Sequence, residues 1–416
     1  MPFKPPKIAI SGGGPAGLTL GLLLHKNHIP FTIYELRQKP TKADLAKPSG
    51  MLDLHEESGL AALRECGLYD TFLTLTGECS QAQRVADKDG NIIYADDGGL
   101  SQRPEISRHA LTNLLTEHLP PGSIKYGHKL LSVSASTKEL DFGPHGKQPF
   151  DLLIGADGAW SHVRRALTDV KPFYTGMQSI TGTIYNIRSK YAHLSSLIGD
   201  GSFSALGLRH GVMAQRGPAD SARIYTFLSI PDDEHFASTS GLDKLDLQGA
   251  KERLLTDNQL LGSFGKPVKQ LVSAACEEEY KTNPDTNTLP IKPLYTLPID
   301  TAFSHNTNPA VGITLIGDAA HLMPPWAGEG VNLAMWDSLL LSNAIIRAFR
   351  GSNGQSASFL ATLDPLLQAF ELEMFSRTRE KAEETESNGN MLFGEDGAVA
   401  FKRFFERFYG EQNDSS

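Results

Sequence analysis

The sequence of 416 residues has few cysteines, no long apolar run and no basic tract. The three cysteines, Cys66, Cys79 and Cys276, are far apart and form no Cys-x-x-Cys pair, which is typical of a reducing compartment. No apolar stretch reaches the roughly 20 residues that a membrane-spanning helix needs. A strand pattern begins so close to the N-terminus that it leaves no room for a signal peptide. We therefore expect a cytoplasmic protein without a membrane span.

The balance of charges excludes two further classes of protein. The chain carries 39 Lys and Arg against 48 Asp and Glu, a net charge of −9, which argues against nucleic acid as a partner. A hydrophobic content of 40% with 21% charged residues is too apolar for a disordered chain. At roughly 150 residues per domain, the length predicts about two or three domains.

Three short apolar strands each end in a turn rich in Gly, or in Gly and Asp. They are Lys7–Ser11 before GGGPAG, Phe150–Gly155 before ADG, and Ile313–Gly317 before DAAH. Continuous apolar strands are typical of a parallel sheet that is buried on both faces. Because the strands are far apart in the chain, we predict one nucleotide-binding domain built from discontinuous segments. Residues 176–290 are richer in β-branched and aromatic residues, which predicts a mainly antiparallel sheet with helices in an inserted domain.

The C-terminal region has a helical pattern. Val331–Phe349 predicts one helix, and residues 355–388 predict another. A third helix would carry phenylalanines on one face, at i, i+3, i+4 and i+7: Phe401, Phe404, Phe405 and Phe408. Two interpretations stay open, a helix docked on the body of the protein and a helix that binds a partner or a membrane surface.

Residues 12–17, Gly-Gly-Gly-Pro-Ala-Gly, match the pattern GxGxxG between the first strand and a helical segment. A second strand, Phe31–Glu35, completes a βαβ unit that ends in an acidic residue. In such a unit the glycines admit a pyrophosphate to the helix N-terminus, and the carboxylate accepts hydrogen bonds from ribose hydroxyls. The residues predicted to bind the dinucleotide here are Gly12, Gly14, Pro15, Ala16, Gly17, Glu35 and Arg37. The fingerprint alone does not separate NAD(P) from FAD, but the later Gly317–Asp318 turn favours FAD.

The segment Gly317–Pro325, GDAAHLMPP, resembles the class A flavoprotein monooxygenases, the aromatic hydroxylase family. Gly328–Ala334 followed by Asp337 fits the same family, and so does GADGAWSHVR at residues 155–164. Within the family, the chain is most similar to the tetracycline-inactivating monooxygenases, which share GDAAHLMPP. Their LDLH and PEISR segments are matched by Leu52–His55 and Pro104–Arg108.

This resemblance implies an α/β fold: a Rossmann-like, glutathione-reductase-like FAD-binding domain, an inserted α+β substrate domain and a C-terminal helix. We expect residues 1–77, 101–175 and 291–350 in the FAD-binding domain, 78–100 and 176–290 in the substrate domain, and 351–416 in the helical segment. The resemblance also implies that NADPH or NADH reduces FAD and that O2 then gives a C4a-hydroperoxyflavin. This species would hydroxylate or epoxidise an aromatic or polycyclic substrate in a single-component, monomeric enzyme. An FAD oxidase or reductase, or a non-catalytic binding protein on the same fold, stays open as an alternative.

The same resemblance extends the predicted cofactor site, while no residue is assigned as catalytic because the flavin carries the chemistry. The added FAD contacts are Asp53, Arg108, Asp157, Asp318, Gly328, Gly330, Val331 and Asn332. The N-terminus of the helix near Gly330 is predicted to face the flavin and favour its reduced, negative form. His321 and His55 are weak acid–base candidates for which a structural role is the default, and Lys47 is expected to be solvated.

An approximate alignment places Thr181 and Phe203 where the tetracycline enzymes use Gln and Arg on strands of the substrate domain. This predicts a less polar cleft that does not suit tetracycline itself and that takes a fused-ring, phenolic, indolic or polyketide-like substrate. The predicted substrate contacts are Thr181, Phe203, Met213, Tyr225, Pro325 and Trp326. For the first four of these residues, plain core packing is an equally open interpretation.

Overall fold

The computed structural model of the chain describes residues 5–76, 80–98, 104–282, 287–298 and 312–413. Cys79 lies outside the described residues. The strands are β1 (Ile8–Ser11), β2 (Phe31–Tyr34), β3 (Met51–Asp53), β4 (Gln83–Asp87), β5 (Ile92–Asp96), β6 (Glu105–Ser107), β7 (Ile124–Lys125), β8 (Ser132–Ser134), β9 (Glu139–Asp141), β10 (Lys147–Pro149), β11 (Leu152–Gly155), β12 (Phe173–Ile184), β13 (Ser202–Gly207), β14 (His210–Gly217), β15 (Ser221–Ser229), β16 (Ile291–Thr296) and β17 (Ile313–Leu315). The α-helices are α1 (Pro15–Lys26), α2 (Lys42–Ala46), α3 (Ala61–Cys66), α4 (Tyr69–Leu73), α5 (Arg108–Glu117), α6 (Ile187–Lys190), α7 (Ala192–Ile198), α8 (Phe236–Thr239), α9 (Leu247–Thr256), α10 (Lys266–Thr282), α11 (Asp318–His321), α12 (Gly330–Gly351), α13 (Ser356–Leu392) and α14 (Gly397–Asn413).

A five-stranded parallel sheet in the order β17-β11-β1-β2-β7 carries the three apolar strands predicted from the sequence. Ile8 pairs with Leu152 and Leu153 pairs with Ile313, so distant segments meet in one sheet. Every residue of β1 and β11 is buried, which explains their unbroken apolar sequences. The carboxyl ends of these strands therefore bring the Gly and Asp turns together at one edge.

Helix α1 is apolar on nearly every side because it packs between the parallel sheet and α12. It begins after Gly14 with Pro15 at its first position, where the missing N–H of proline costs no hydrogen bond. Ser338 of α12 donates from Oγ to the carbonyl of Ala16 at 2.8 Å, which fixes the two helices side by side. The start of α1 is thus held rigidly against the glycine-rich turn.

A seven-stranded sheet in the order β16-β12-β15-β14-β13-β4-β5 forms the second layer of the molecule. Its pairings are antiparallel except for β13 and β4, which run parallel with Ser202 opposite Gln83. One face is covered by α9 and α10 in a hydrophobic core. Strand β16, which begins at the predicted boundary at residue 291, pairs with β12 in this sheet, while the domain bounds themselves stay a prediction.

The C-terminal helices close over the two sheets. Helix α13 packs along α12, and α14 lies on β4, β5 and β13, where the ring of Phe405 stacks on Tyr94 at 5.1 Å between centroids. Phe401 joins this cluster, so the docked interpretation of α14 describes its packing; the side chain of Phe408 lies outside the described residues. Among the helices described, none is both long and apolar enough to cross a membrane.

Candidate active site

The glycine-rich turn has the shape that a dinucleotide pyrophosphate requires. A side chain at Gly12, where φ is +112°, would put its Cβ 2.1 Å from the carbonyl oxygen of Ala156. A Cβ on Gly17 would lie 2.1 Å from the carbonyl oxygen of Gly12, so helix and strand can approach only through glycine. Above Gly14, by contrast, no atom lies within 4 Å of the Cβ position. The turn therefore leaves an open cradle at the N-terminus of α1, where free N–H groups and the helix dipole favour phosphate.

Glu35 lies directly beneath this turn at the end of β2. Its Oε2 accepts a hydrogen bond of 2.7 Å from the N–H of Gly13, and its Oε1 accepts one of 2.8 Å from the N–H of Arg37. Each carboxylate oxygen keeps a further lone pair, which fits an acceptor for ribose hydroxyls. The side chain of Arg37 is exposed, and its carbonyl accepts from the N–H of Gly127.

Asp318 is the first residue of α11, after the third apolar strand. Its side chain is accessible to solvent at the edge of a cleft. The surrounding protein atoms nevertheless desolvate the carboxylate, and this desolvation raises the pKa of Asp318. His321 and Arg108 act against that rise, so a positive side chain from the start of α5 shares the cleft with Asp318. The structure thus brings together two residues that are far apart in the sequence and that are both predicted to contact FAD.

Asp157 is committed to its own turn. Its Oδ1 accepts from Ser161 Oγ at 2.5 Å and its Oδ2 accepts from the N–H of His162 at 2.8 Å; burial nonetheless raises its pKa. Arg164 is buried and donates to the carbonyl of Ala319 at 2.9 Å, which ties this turn to α11. The carboxylate of Asp157 therefore holds its own turn, and the predicted FAD contact of this residue stays a prediction.

The loop Gly328–Asn332 leads into α12 and faces the same cleft. Gly328 has a φ of +69°, and the position of a Cβ on Gly330 has no neighbour within 4 Å, so the entry to the helix is open. The side chain of Asn332 is fully buried and serves the protein itself, while the predicted FAD contact of this residue stays a prediction. Its Oδ1 accepts from the N–H of His55 at 2.9 Å and its Nδ2 donates to the carbonyl of Asp53 at 3.0 Å. The backbone at Gly330 and Val331 therefore stays the predicted FAD contact of this loop.

His321 has a structural environment. Its Nε2 lies 2.6 Å from Asp337 Oδ2, and Asp337 Oδ1 accepts from Arg377 at 2.8 Å. Burial lowers the pKa of His321, but the charge and hydrogen bond of Asp337 raise it by more, so the pKa lies above its ordinary value. Because the N–H of Gly317 also donates to Asp337, this group anchors the turn before Asp318 and engages the Nε2 of His321 in that structural role.

The face of the seven-stranded sheet opposite α10 forms the second wall of the cleft. Thr181, Tyr225 and Met213 are cross-strand partners in one row on this face, as strand register requires. The prediction that Phe203 contacts the substrate is wrong, because Phe203 pairs with Ala214 and points into the core against the helices with no exposed surface. A shift of one residue reverses the face of a strand, and Ser204 is the residue of β13 in the Met213 row.

Aromatic rings cluster beside the Gly328–Asn332 loop. The ring of Trp326 lies 4.7 Å from the rings of Phe227 and Phe393, edge to face. Helix α13 approaches closely here, since a Cβ on Gly389 would lie 2.8 Å from Cδ1 of Trp326. Pro325 is exposed beside this cluster. These rings, which we call the aromatic wall, thus come from β15, from the Pro325–Ala327 turn before the Gly328–Asn332 loop, and from the end of α13.

Polar side chains lie around Tyr225, away from the aromatic rings. The hydroxyl of Tyr225 packs on the backbone of Gly50, with 2.8 Å to the position of a Cβ there. Burial raises the pKa of Tyr225, and Arg223 and Arg108 act to lower it. The sequence analysis did not predict Arg223, Phe227 or Phe393 as site residues. Because every second residue of a strand lies on the same face, Tyr225 could have indicated Arg223 and Phe227. A separate apolar cavity of about 120 Å³ lies against α10, lined by residues that include Ile180, Val272 and Ala275.

Comparisons with known proteins agree with this geometry. A family profile described as FAD binding domain matches residues 6–258 and 277–362. The chain is similar to the monooxygenase penA of Penicillium thymicola, with 34% identity over 426 residues that cover 94% of this chain and 96% of that protein.

Two solved structures share the fold. Klebsiella pneumoniae HpxO in complex with FAD and uric acid has a TM-score of 0.70 at 17% identity, covering 96% of this chain and 92% of that one. The tetracycline destructase Tet(55) has a TM-score of 0.64 at 16% identity, covering 95% of this chain and 98% of that one. At these identities the likeness concerns the fold.

Proposed function

The chain belongs to the FAD binding domain family of flavoprotein monooxygenases, and from this premise we propose that it uses NADPH or NADH and O2 to hydroxylate or epoxidise an aromatic or polycyclic small molecule. The family, the α/β fold and FAD as cofactor, all expected from the sequence, are confirmed. The observation that carries the proposal is the aromatic wall of Phe227, Trp326 and Phe393 directly beside the loop that receives the flavin.

The residues of this chain fit FAD at each part of the molecule. Gly12, Gly14 and Gly17 form the pyrophosphate cradle, Glu35 is the ribose acceptor, and Asp318 at the cleft takes ribityl hydroxyls. When bound, FAD supplies the redox chemistry that passes electrons from the nicotinamide to O2 and one oxygen atom to the substrate. The task of the protein is then to position the substrate and to exclude water.

The cleft has a chemical polarity that selects a class of substrate. Aromatic rings at the Trp326 end favour a planar, apolar ring system. At the other end, the Tyr225 hydroxyl with Arg223 and Arg108 offers donors and positive charge to a hydroxyl or ionised oxygen. We therefore propose a fused-ring substrate with one polar oxygen substituent, which occurs among phenolic, indolic and polyketide-like compounds.

The experiment is to purify the protein, record its visible spectrum, and screen NADPH and NADH oxidation against a panel of aromatic natural products. We expect a yellow protein, an oxidation rate raised by particular compounds, and a product heavier by one oxygen atom. Stoichiometric hydrogen peroxide with no oxygenated product for any compound would contradict the proposal and favour the oxidase alternative. A colourless protein that takes up no added FAD would favour the non-catalytic alternative.

We further propose that the parallel sheet and the seven-stranded sheet correspond to FAD-binding and substrate domains, with residues 351–416 as a helical segment and the second boundary after Thr296. Support comes from the sheet pairings, which separate the two sets of strands.

A cytoplasmic location is proposed on the free thiols of Cys66 and Cys276, whose pKa burial raises to about 12. A monomer stays a prediction that light scattering tests.

A further inference from the structure

Four side chains of alternating charge connect α13 to the end of β3. Lys381 Nζ lies 2.6 Å from Glu329 Oε1, Glu329 Oε2 lies 3.5 Å from His55 Nδ1, and His55 Nε2 lies 3.1 Å from Asp53 Oδ2. The side chains of His55 and Glu329 are only 6% and 7% exposed. Buried ionisable groups are costly unless they are paired, and here the alternation pairs each one.

These four charged side chains lie in and beside the Gly328–Asn332 loop. Glu329 is part of the loop itself, and the Cβ position of Gly328 is 3.6 Å from Asp53 Oδ1. The side chain of Asn332 binds the backbone on both sides of the pair, at the carbonyl of Asp53 and the N–H of His55. The loop and the charged chain are therefore one connected unit, in which a movement of His55 moves the entry to α12.

We propose that Asp53, His55, Glu329 and Lys381 form an electrostatic clamp, the His55 clamp, that fixes the Gly328–Asn332 loop in the shape that receives the flavin. His55 is its positioning residue, in the doubly protonated form, because the imidazolium alone separates two carboxylates. The inference rests on FAD binding at this loop and does not depend on which substrate is oxidised.

The ionisation of the clamp has a definite direction. Burial lowers the pKa of His55, but its hydrogen bonds to Asp53 and Glu329 and their charges raise it to about 9 overall. Since this value lies above that of an unfolded histidine, about 6.5, the stabilisation is complete below about pH 6.5 and is lost as the pH rises through about 9. Above that pH, two carboxylates face each other with only Lys381 to offset them.

The other charged groups nearby do not replace the imidazolium. Glu384 pairs with Lys381 at 3.1 Å on the outer side of the clamp. Glu56, which follows His55, is exposed and pairs with Arg64 at 2.7 Å. Glu57 is exposed as well. The charges that face the His55 ring from the packed elements are Asp53 from β3 and Glu329 from the start of α12, with Lys381 of α13 behind Glu329.

A titration of the apoprotein tests the protonation state directly. Histidine labelled with ¹³C at Cε1 gives one NMR signal per ring, and the signal that disappears in a His55→Gln variant belongs to His55. We expect its midpoint near pH 9. A midpoint at or below about 6.5, the value of a free imidazole, would overturn the clamp. This measurement needs no bound flavin, so it stays decisive even if the proposed reaction is wrong.

The second readout is the affinity for FAD, measured by quenching of flavin fluorescence from about pH 7 to about pH 10. We expect the wild-type Kd to rise at least about fivefold with a midpoint near 9, as expected for loss of one charged hydrogen bond. His55→Gln and Lys381→Gln should bind FAD several-fold more weakly at pH 7, and His55→Gln should lose the pH dependence. Lys147→Gln, which removes an exposed pair with Glu139, is the matched control and should behave as wild type.

The NMR titration of His55 and the affinities for FAD together either support or overturn the proposal. Wild-type affinity and an unchanged pH profile in His55→Gln would overturn the proposal. If that variant does not fold by circular dichroism, the wild-type titration and the Lys381→Gln affinity decide. A wild-type protein that binds no FAD at any pH contradicts the proposed function, whereas a low NMR midpoint contradicts the clamp alone.

Discussion

At the scale of single residues, the three fingerprint glycines do different work although one pattern identifies them. Gly12 and Gly17 are required by the fold, because a Cβ at either would meet backbone oxygen at 2.1 Å. Gly14 has open space above it, so the fold does not require glycine there, and the proposed FAD pyrophosphate is what would require it. The structure therefore separates the requirements of folding from those of cofactor binding within six residues.

Substitution of these glycines should separate the two requirements. Gly14→Ala should leave the Tm of the apoprotein within about 2 °C, since its φ of −84° suits alanine, while the Kd for FAD rises at least about tenfold because the methyl group occupies the pyrophosphate cradle. Gly17→Ala, the comparison variant, should lower the Tm by about 5 °C or more. Thermal unfolding and flavin fluorescence measure the two effects. Equal loss of Tm in both variants would contradict this division.

Phe203 and Met213 provide a second test at this scale. Phe203→Ala should cost about 3–5 kcal/mol of unfolding free energy, because it empties a fully buried site, and should leave the KM for an active compound unchanged. Met213→Ala should raise that KM several-fold at a smaller cost in stability, because Met213 is on the cleft face. Urea unfolding and steady-state kinetics measure both quantities. A raised KM in Phe203→Ala without a loss of stability would restore the original prediction for this residue.

At the scale of elements, α13 contacts the segment before and within α12 through one regularly spaced stripe. Arg377 binds Asp337, Lys381 binds Glu329, Thr385 contacts Met323, and Asn388 donates to the carbonyl of Trp326. The spacing of four, four and three residues places these side chains on one helix face. Helix α13 has a polar sequence, and its polar stripe thus supports the Gly328–Asn332 loop and the segment before it.

Helix α14 gives the prediction at this scale. Phe405→Ser should lower the unfolding free energy by about 2 kcal/mol, because its ring stacks on Tyr94, whereas Phe404→Ser should cost much less because that side chain is 42% exposed. Urea unfolding compares the two variants. Strong binding of the wild type to anionic lipid vesicles, abolished by Phe404→Ser, would instead support the membrane-surface interpretation.

At the scale of the whole molecule, the sequence predicted what depends on local order and missed what depends on register and distant partners. The βαβ unit with Gly12–Gly17 and Glu35 is local, and its two strands were predicted within a residue at each end. The error at Phe203 comes from a one-residue uncertainty in register, which reverses a strand face. The structural role of the Asn332 side chain could not be predicted, because its partners at Asp53 and His55 are 279 and 277 residues away and leave no local pattern.

The order of strands in the parallel sheet has a consequence for synthesis of the chain. β1 lies between β2 and β11, and β11 needs β17 on its other side. On the ribosome, β1 and β2 emerge early and form a half-finished nucleotide fold whose apolar edge waits for Leu152 and then for Ile313. At about 5–20 residues per second, that wait lasts on the order of tens of seconds. We therefore expect the nascent chain to expose an unpaired apolar strand edge until β17 is synthesised, and such an edge favours aggregation.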